Sequence, residues 1–314
     1  AGGELMLRNY YVWRDFGNQL PFVGGGAVDL ERFFWGAGAQ YSLGDSLPEP
    51  FGLTVGFDVD RQDDDRKRFD NLQGVDGPLV FDQQERVDSA GVYVQGQYEI
   101  GDDWTLSAGL RYDEVTFEIN DRYLQDGDDS GKIEFTELSP SLGVNFSLGN
   151  HTVFASFSSA FETPTTTELA NPDAAGGFNR SLAPQLADNY ELGIKGERLD
   201  TYYELSVFRI DLEDELIPFE LAAFPGRTFY QNAGTSERNG VEAALAWQGD
   251  NGLSADVSWT WSDFTFEDFV DDGGNDFGGS ELPGLPEHFG YAGVAYDGDD
   301  GWHARLEAIY SGEL

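Results

Sequence analysis

Three histidines, His151, His288 and His303, and no cysteine are all that the chain offers to thiol or soft-metal chemistry. Without thiolates there is no disulfide framework, no Cys-ligated zinc and no cysteine nucleophile. Histidines scattered singly do not build a histidine-rich metal centre. His151 and His303 flank short polar turns and His288 follows a Pro-rich segment, so a Ser-His-Asp arrangement has no support. The acid runs Asp63-Asp64-Asp65 and Asp271-Asp272 fall in polar connections, where they read as solvated surface rather than as a general acid and base. The sequence reads as a non-enzyme. One stretch does carry metal-ligand spacing. From Asp126 to Glu137 it runs Asp-Gly-Asp-Asp-Ser-Gly-Lys-Ile-Glu-Phe-Thr-Glu, with Asp126, Asp128, Ser130 and Glu137 at the first, third, fifth and twelfth positions of a calcium loop. Oxygen ligands so spaced can wrap one Ca²⁺, the last of them bidentate. The flanks read as strands rather than helices, which favours the competing reading of an acidic loop between two strands.

The elements that must hold these residues follow from composition and periodicity. Of 314 residues, 58 are Asp or Glu and 18 Lys or Arg, a net charge of −40 that repels phosphate backbones and argues against nucleic acid as a partner. Aromatics at 14% are too many for a disordered acidic tail. The acidity has two open readings: loop carboxylates screening a membrane surface and holding divalent cations, or adaptation to a saline habitat, where self-repulsion keeps proteins soluble. No apolar run is long enough for a transmembrane helix.

Period-two alternation, the signature of strands, recurs along the whole chain. Trp104, Leu106, Ala108, Leu110 and Tyr112 alternate with Thr105, Ser107, Gly109, Arg111 and Asp113. The pattern returns at 138–148, 253–262 and 302–312, and less regularly at 4–14, 32–42, 51–61, 87–100, 151–160, 188–198, 201–212, 236–248 and 286–297. This makes about thirteen strands, many of about 10–14 residues, the length that crosses a bilayer when tilted. Short polar turns at 101–103, 149–150, 199–200, 249–251 and 298–301 alternate with long segments at 15–31, 62–86, 119–134, 161–187, 213–235 and 267–285. Such alternation, with ring residues near strand tips and one face too polar for a dry core, predicts an all-β, antiparallel transmembrane β-barrel in an outer membrane. A soluble β-protein, such as a calcium-binding adhesin, would hide the apolar rows instead.

Several stretches resemble the barrel of TonB-dependent outer-membrane receptors. Ser139-Pro140-Ser141-Leu142-Gly143-Val144-Asn145-Phe146, a turn, and Val153-Phe154-Ala155-Ser156-Phe157-Ser158-Ser159-Ala160-Phe161 look like a hairpin of that family. Pro164-Thr165, Glu168-Leu169, Asn171-Pro172, Leu182-Ala183-Pro184-Gln185 and Asn189-Tyr190-Glu191-Leu192-Gly193-Ile194-Lys195 are similar to its long loop and following strand. Asn232-Ala233-Gly234 with Asn239-Gly240-Val241-Glu242, and Leu282-Pro283-Gly284-Leu285-Pro286, match further on. The resemblance implies a twenty-two-strand barrel, of which residues 1–314 would supply about thirteen strands, the plug domain, TonB-binding box and closing strands being absent. It implies short turns in the periplasm, long loops outside, and TonB-energised uptake of a ferric siderophore or similar iron complex, with outer-membrane lipid and, through the missing plug, the TonB-ExbB-ExbD system as partners. Cargo contacts are then expected where Arg and rings lie together, at Trp13 and Arg14, Arg122 and Tyr123, Arg180, Arg227 and Tyr230. A passive porin, or a receptor for cobalamin or a saccharide, is the alternative. No cofactor is required beyond the possible Ca²⁺.

Overall fold

A computed structural model describes residues 2–21, 24–43, 50–125, 127–172, 177–221, 228–271, 273–298 and 301–313. Thirteen strands follow one another in chain order: β1 Glu4–Gln19, β2 Ala27–Ser42, β3 Phe51–Asn71, β4 Asp76–Ile100, β5 Trp104–Asp121, β6 Gly131–Leu148, β7 His151–Glu162, β8 Gln185–Arg198, β9 Thr201–Glu220, β10 Thr228–Gln248, β11 Leu253–Asp268, β12 His288–Asp297 and β13 His303–Ser311. Each pairs antiparallel with the next in a single sheet of order β1 to β13. Among the described residues β1 and β13 do not meet, so the sheet is an unclosed arc of barrel wall.

The two faces of that wall are chemically opposite. The register carries Leu7, Ala39, Phe57, Val92, Tyr112 and Leu138 side by side across six strands. These side chains are bare: Leu7 is 70% exposed, Val92 57% and Leu138 54%. One residue along, the other face carries the row Arg8, Gly38, Asp58, Gly91 and Asp113. The apolar rows therefore point out of the wall and the charged rows into the lumen, which excludes a sandwich with its oily faces pressed together. Rings close the apolar band at both edges. Phe51 stacks on Tyr98 and Trp104 on Phe146, each at 4.6 Å, beside the short turns. Phe157 and Tyr190, 5.2 Å apart, mark the opposite edge. Trp104 to Tyr112 takes eight steps along β5, roughly 20 Å of membrane at about 3.3 Å per residue and about 40° of tilt.

The turns sort by end as expected. The β8–β9 link is a two-residue turn with Leu199 at φ 49° and Asp200 at φ 63°, the double positive φ whose twist matches antiparallel strands. At the other end the strands run further than their alternation indicates. Residues 62–86, expected as a loop, are instead the upper part of a β3–β4 hairpin of 21 and 25 residues, joined across 72–75. Above the belt neither face meets lipid, so apolar residues no longer alternate, while the backbone ladder continues. Its outer rungs are ionic: Arg61 Nε reaches Asp88 Oδ1 at 2.5 Å and Arg86 Nη2 reaches Asp63 Oδ2 at 3.0 Å. The segment 213–235 is likewise mostly strand, and 119–134 is strand at its two ends, 119–121 and 131–134.

Val94 and Gln95, neighbours in sequence, stand on opposite faces near mid-belt. Val94→Arg is expected to cost about 2–4 kcal/mol and Gln95→Arg to be nearly neutral. Denaturant unfolding in lipid vesicles, with heat-modifiable gel mobility as the folding check, measures both; equal losses would refute the assignment of faces.

Candidate functional site: the lumenal wall

The lumenal rows work because glycine alternates with charge. Arg8 on β1 reaches Asp58 on β3 at 2.5 Å by lying across Gly38 of β2. From β5, Arg111 reaches the same Asp58 at 3.1 Å across Gly91 of β4 and holds Asp113 at 2.7 Å. A Cβ at Gly91 would strike both Arg111 and Asp113. Tyr10 reaches Asp60 over Gly36 in the same way, and Tyr93 donates to Gln40 Oε1 at 3.1 Å over Gly56. Long side chains thus lie flat along the lumenal face of the wall.

Higher on the lumenal wall two acids are buried. Asp64, 1% exposed, takes both Arg32 nitrogens at 2.7 and 2.5 Å. Glu85, 3% exposed, accepts from Gln83 at 2.6 Å, Thr166 at 2.9 Å and Arg66 at 3.4 Å. Each buried carboxylate has a cation within reach, which removing it from water requires.

Thr166 belongs to the β7–β8 connection, and this segment supplies what the sequence did not show. Expected as an outward loop, it folds onto the lumenal wall as a strap. Phe117, Ile119, Phe135, Leu169, Phe178 and Leu182 form a buried cluster there, with Leu216 and Tyr230 against it. A capping box starts the strap: Thr165 N donates to Glu168 Oε2 at 2.7 Å and Glu168 N to Thr165 Oγ1 at 3.4 Å. Asn232 fastens its far end. The Asn232 amide accepts from Ala183 N at 2.8 Å and donates to Ala183 O at 3.0 Å and Asp214 O at 2.7 Å.

The expected cargo contacts are not brought together. Arg14 faces the lumen opposite Arg32, its guanidinium 4.8 Å from the Phe16 ring. Arg180 is exposed on the strap beside buried Phe178. Neither forms a salt bridge among the described residues, whereas most other arginines do. Tyr230 packs on the inner cluster. Trp13 shares the outward face with Phe33 at the belt's upper edge. Arg122 stands on the outer wall, 2.7 Å from Asp65 and 3.7 Å from Asp82, and Tyr123 N donates to Asp121 Oδ1 at 2.9 Å. Arg227 lies outside the described residues.

The calcium spacing is likewise split. Asp126 lies outside the described residues. Asp128 Oδ1 accepts from Ser130 N at 2.9 Å, and hydrogen bonds from Ser130 hold its carboxyl below the usual carboxylate range. Glu137 is within β6, opposite Asp113. Seven residues of strand set it roughly 23 Å from Ser130, at about 3.3 Å each, so an extended β6 cannot return it to the same ion. Among the described residues no cluster of three or more His, Asp or Glu is placed to hold a metal.

Replacing Asn232 by Ala removes both bonds to the strap at Ala183, and the one to Asp214 of β9, while leaving the belt untouched. Opening of the strap should become easier by about 1–3 kcal/mol, and hydrogen exchange at 166–170 and 178–184 should quicken at least about tenfold while β5 stays protected. Unchanged exchange in the strap would show that Asn232 does not fasten it.

The sequence signature of the family described as "TonB dependent receptor-like, beta-barrel" matches residues 4–313. The chain is 24% identical over 223 residues to the metal-pseudopaline receptor CntO of Pseudomonas aeruginosa, covering 69% of this chain and 29% of CntO. It is 25% identical over 171 residues to the probable TonB-dependent siderophore receptor PiuA of Acinetobacter baumannii, covering 51% of this chain and 21% of PiuA. The crystal structure of the ferric citrate transporter FecA in unliganded form superposes with a TM-score of 0.76 at 16% identity, over 99% of this chain and 46% of FecA. This chain thus spans under a third of the length of those two sequence relatives and about half of FecA. The fold, the lipid-facing belt and the match along nearly the whole chain place it in the TonB-dependent receptor-like β-barrel family of the Gram-negative outer membrane.

Proposed function

We propose that this chain forms the barrel wall of a TonB-energised importer that takes up a ferric siderophore or a similar scarce iron complex. The observation that carries the reading is a charged lumenal wall, with a strap packed on it, inside an apolar belt of this family. CntO, PiuA and FecA carry metal, siderophore and ferric citrate cargo in their names. In this reading the wall does no covalent chemistry: outer segments bind cargo, TonB acts through the plug of the whole receptor, and the wall confines the path. Arg14 and Arg180 are the proposed cargo contacts on this chain, because both are exposed and free of carboxylates among the described residues. Anionic chelates suit such guanidinium groups.

The test is radiolabelled iron uptake by the full-length receptor in a host lacking its own ferric-chelate receptors, across a panel of iron chelates, with and without TonB. TonB-dependent accumulation from at least one chelate is expected, with cargo affinity falling about tenfold in the Arg14→Ala, Arg180→Ala double variant, roughly 1.4 kcal/mol. TonB-independent passage would indicate a passive pore, and uptake confined to cobalamin or saccharides would overturn iron as the cargo.

A further inference from the structure

Among the described residues the outer wall above the belt carries six cations, and five of them, Arg61, Lys67, Arg86, Arg122 and Lys132, fall on or beside β3 to β6; Arg209 is the sixth. One rung there reads Asp63, Arg86, Glu118, Lys132 across β3 to β6, an alternation that should zip into ion pairs. It does not. Arg86 turns to Asp63, spending Nε at 3.1 Å and Nη2 at 3.0 Å. Among the described residues, neither Arg86 nor Lys132 comes within ion-pair range of Glu118, and Lys132 has no carboxylate partner at all. Between them opens a recess of about 480 Å³, lined also by Gln84, Asn120 and Ser130. Gln84 is fixed at both ends, its Nε2 donating to Asp63 Oδ1 at 2.7 Å and its Oε1 accepting from Arg122 Nη2 at 3.4 Å.

Position says what this recess faces. Glu118 lies six residues beyond Tyr112 on β5, roughly 15 Å above the upper edge of the belt at about 3.3 Å per residue and 40° of tilt. The lumen is on the other side of the sheet, so cargo does not pass here. What surrounds an outward wall at that height is the headgroup layer of the outer leaflet.

We propose that this recess seats the acidic core saccharide of an outer-leaflet glycolipid. Lys132 and the unspent edge of Arg86 take the anionic group. Asn120, which donates and accepts, Glu118, which accepts, and the second N–H of Gln84 take sugar hydroxyls. The mixture of an ammonium, a guanidinium, two amides and a carboxylate suits a hydroxylated anion better than a bare phosphate, which Glu118 would repel. Elsewhere the acidic wall disfavours anionic headgroups, so the recess would fix where such a lipid lies. The inference rests on the outer-membrane placement and is independent of the cargo.

The experiment is native mass spectrometry of the full-length receptor with three probes: lipid A bearing two acidic core sugars, the same lipid A without them, and phosphatidylglycerol. The core-bearing glycolipid should be retained at least about tenfold better than either other lipid. Lys132→Glu and Asn120→Ala should each lose most of that preference and Lys132→Arg should keep it, while lumenal Lys195→Glu leaves it unchanged. Heat-modifiable mobility should stay at wild-type levels in all four, and TonB-dependent uptake in the three recess variants. Equal retention of the three lipids, or retention untouched by both Lys132→Glu and Asn120→Ala, would overturn the proposal.

Discussion

Inside hydrocarbon a backbone amide or carbonyl without a partner costs several kcal/mol, because no water is present to replace it. The chain meets this constraint with one ladder in which every strand bonds to its neighbours in sequence. Everything else is arranged around that ladder. Side chains must alternate between lipid and lumen, so the two faces become independent surfaces, one nearly pure hydrocarbon and one densely charged. Short turns keep the ladder continuous at one end. At the other, the ladder runs on past the lipid and exchanges its apolar rungs for ion pairs.

The lumenal face solves a second problem, that of keeping charges satisfied without filling the pore. Arginine and tyrosine side chains reach two strands sideways only because the strand between them presents glycine at that rung. The strap then adds a small core of its own on the upper wall, where buried Glu85 and Asp64 lie between cations and the segment that covers Glu85. Hydrophobic packing inside a water-filled barrel is local, and the strap residues Leu169, Phe178 and Leu182 supply it.

How much of this could be read in the sequence depends on where lipid touches the chain. Within the belt the alternation from Trp104 to Tyr112 is unmistakable, and the thirteen strands and the short turns were legible from such rows. Above the belt it fails: Asp58, Asp60, Gln62, Asp64 and Arg66 alternate on the lumenal face of β3, but their outward neighbours are equally polar, so the upper hairpin reads as loop. Buried Asp64 and Glu85 were hidden for that reason. The strap was legible as motif, in Pro164-Thr165 and Glu168-Leu169, but not as a lumenal element, since its partners Phe117 and Phe135 lie on strands distant in sequence. Trp13 and Arg122 show the cost of reading clusters without a face: odd positions of β1 and even positions around β5 belong to the outer wall. The calcium spacing fails similarly, because a linear motif says nothing about whether its last residue lies in an extended strand.

The ladder's extension past the lipid has a mechanical result. From Val59 to Asn71 the β3 strand climbs twelve residues beyond the oily zone, roughly 30 Å at the same pitch. The wall on this side therefore continues as a hydrogen-bonded ladder rather than as coil. In the importer proposed above, a solute arriving from the medium would meet fixed, mostly paired charge on this wall before it reaches the depth of the bilayer, so selection by charge would begin well outside the cell's hydrophobic barrier.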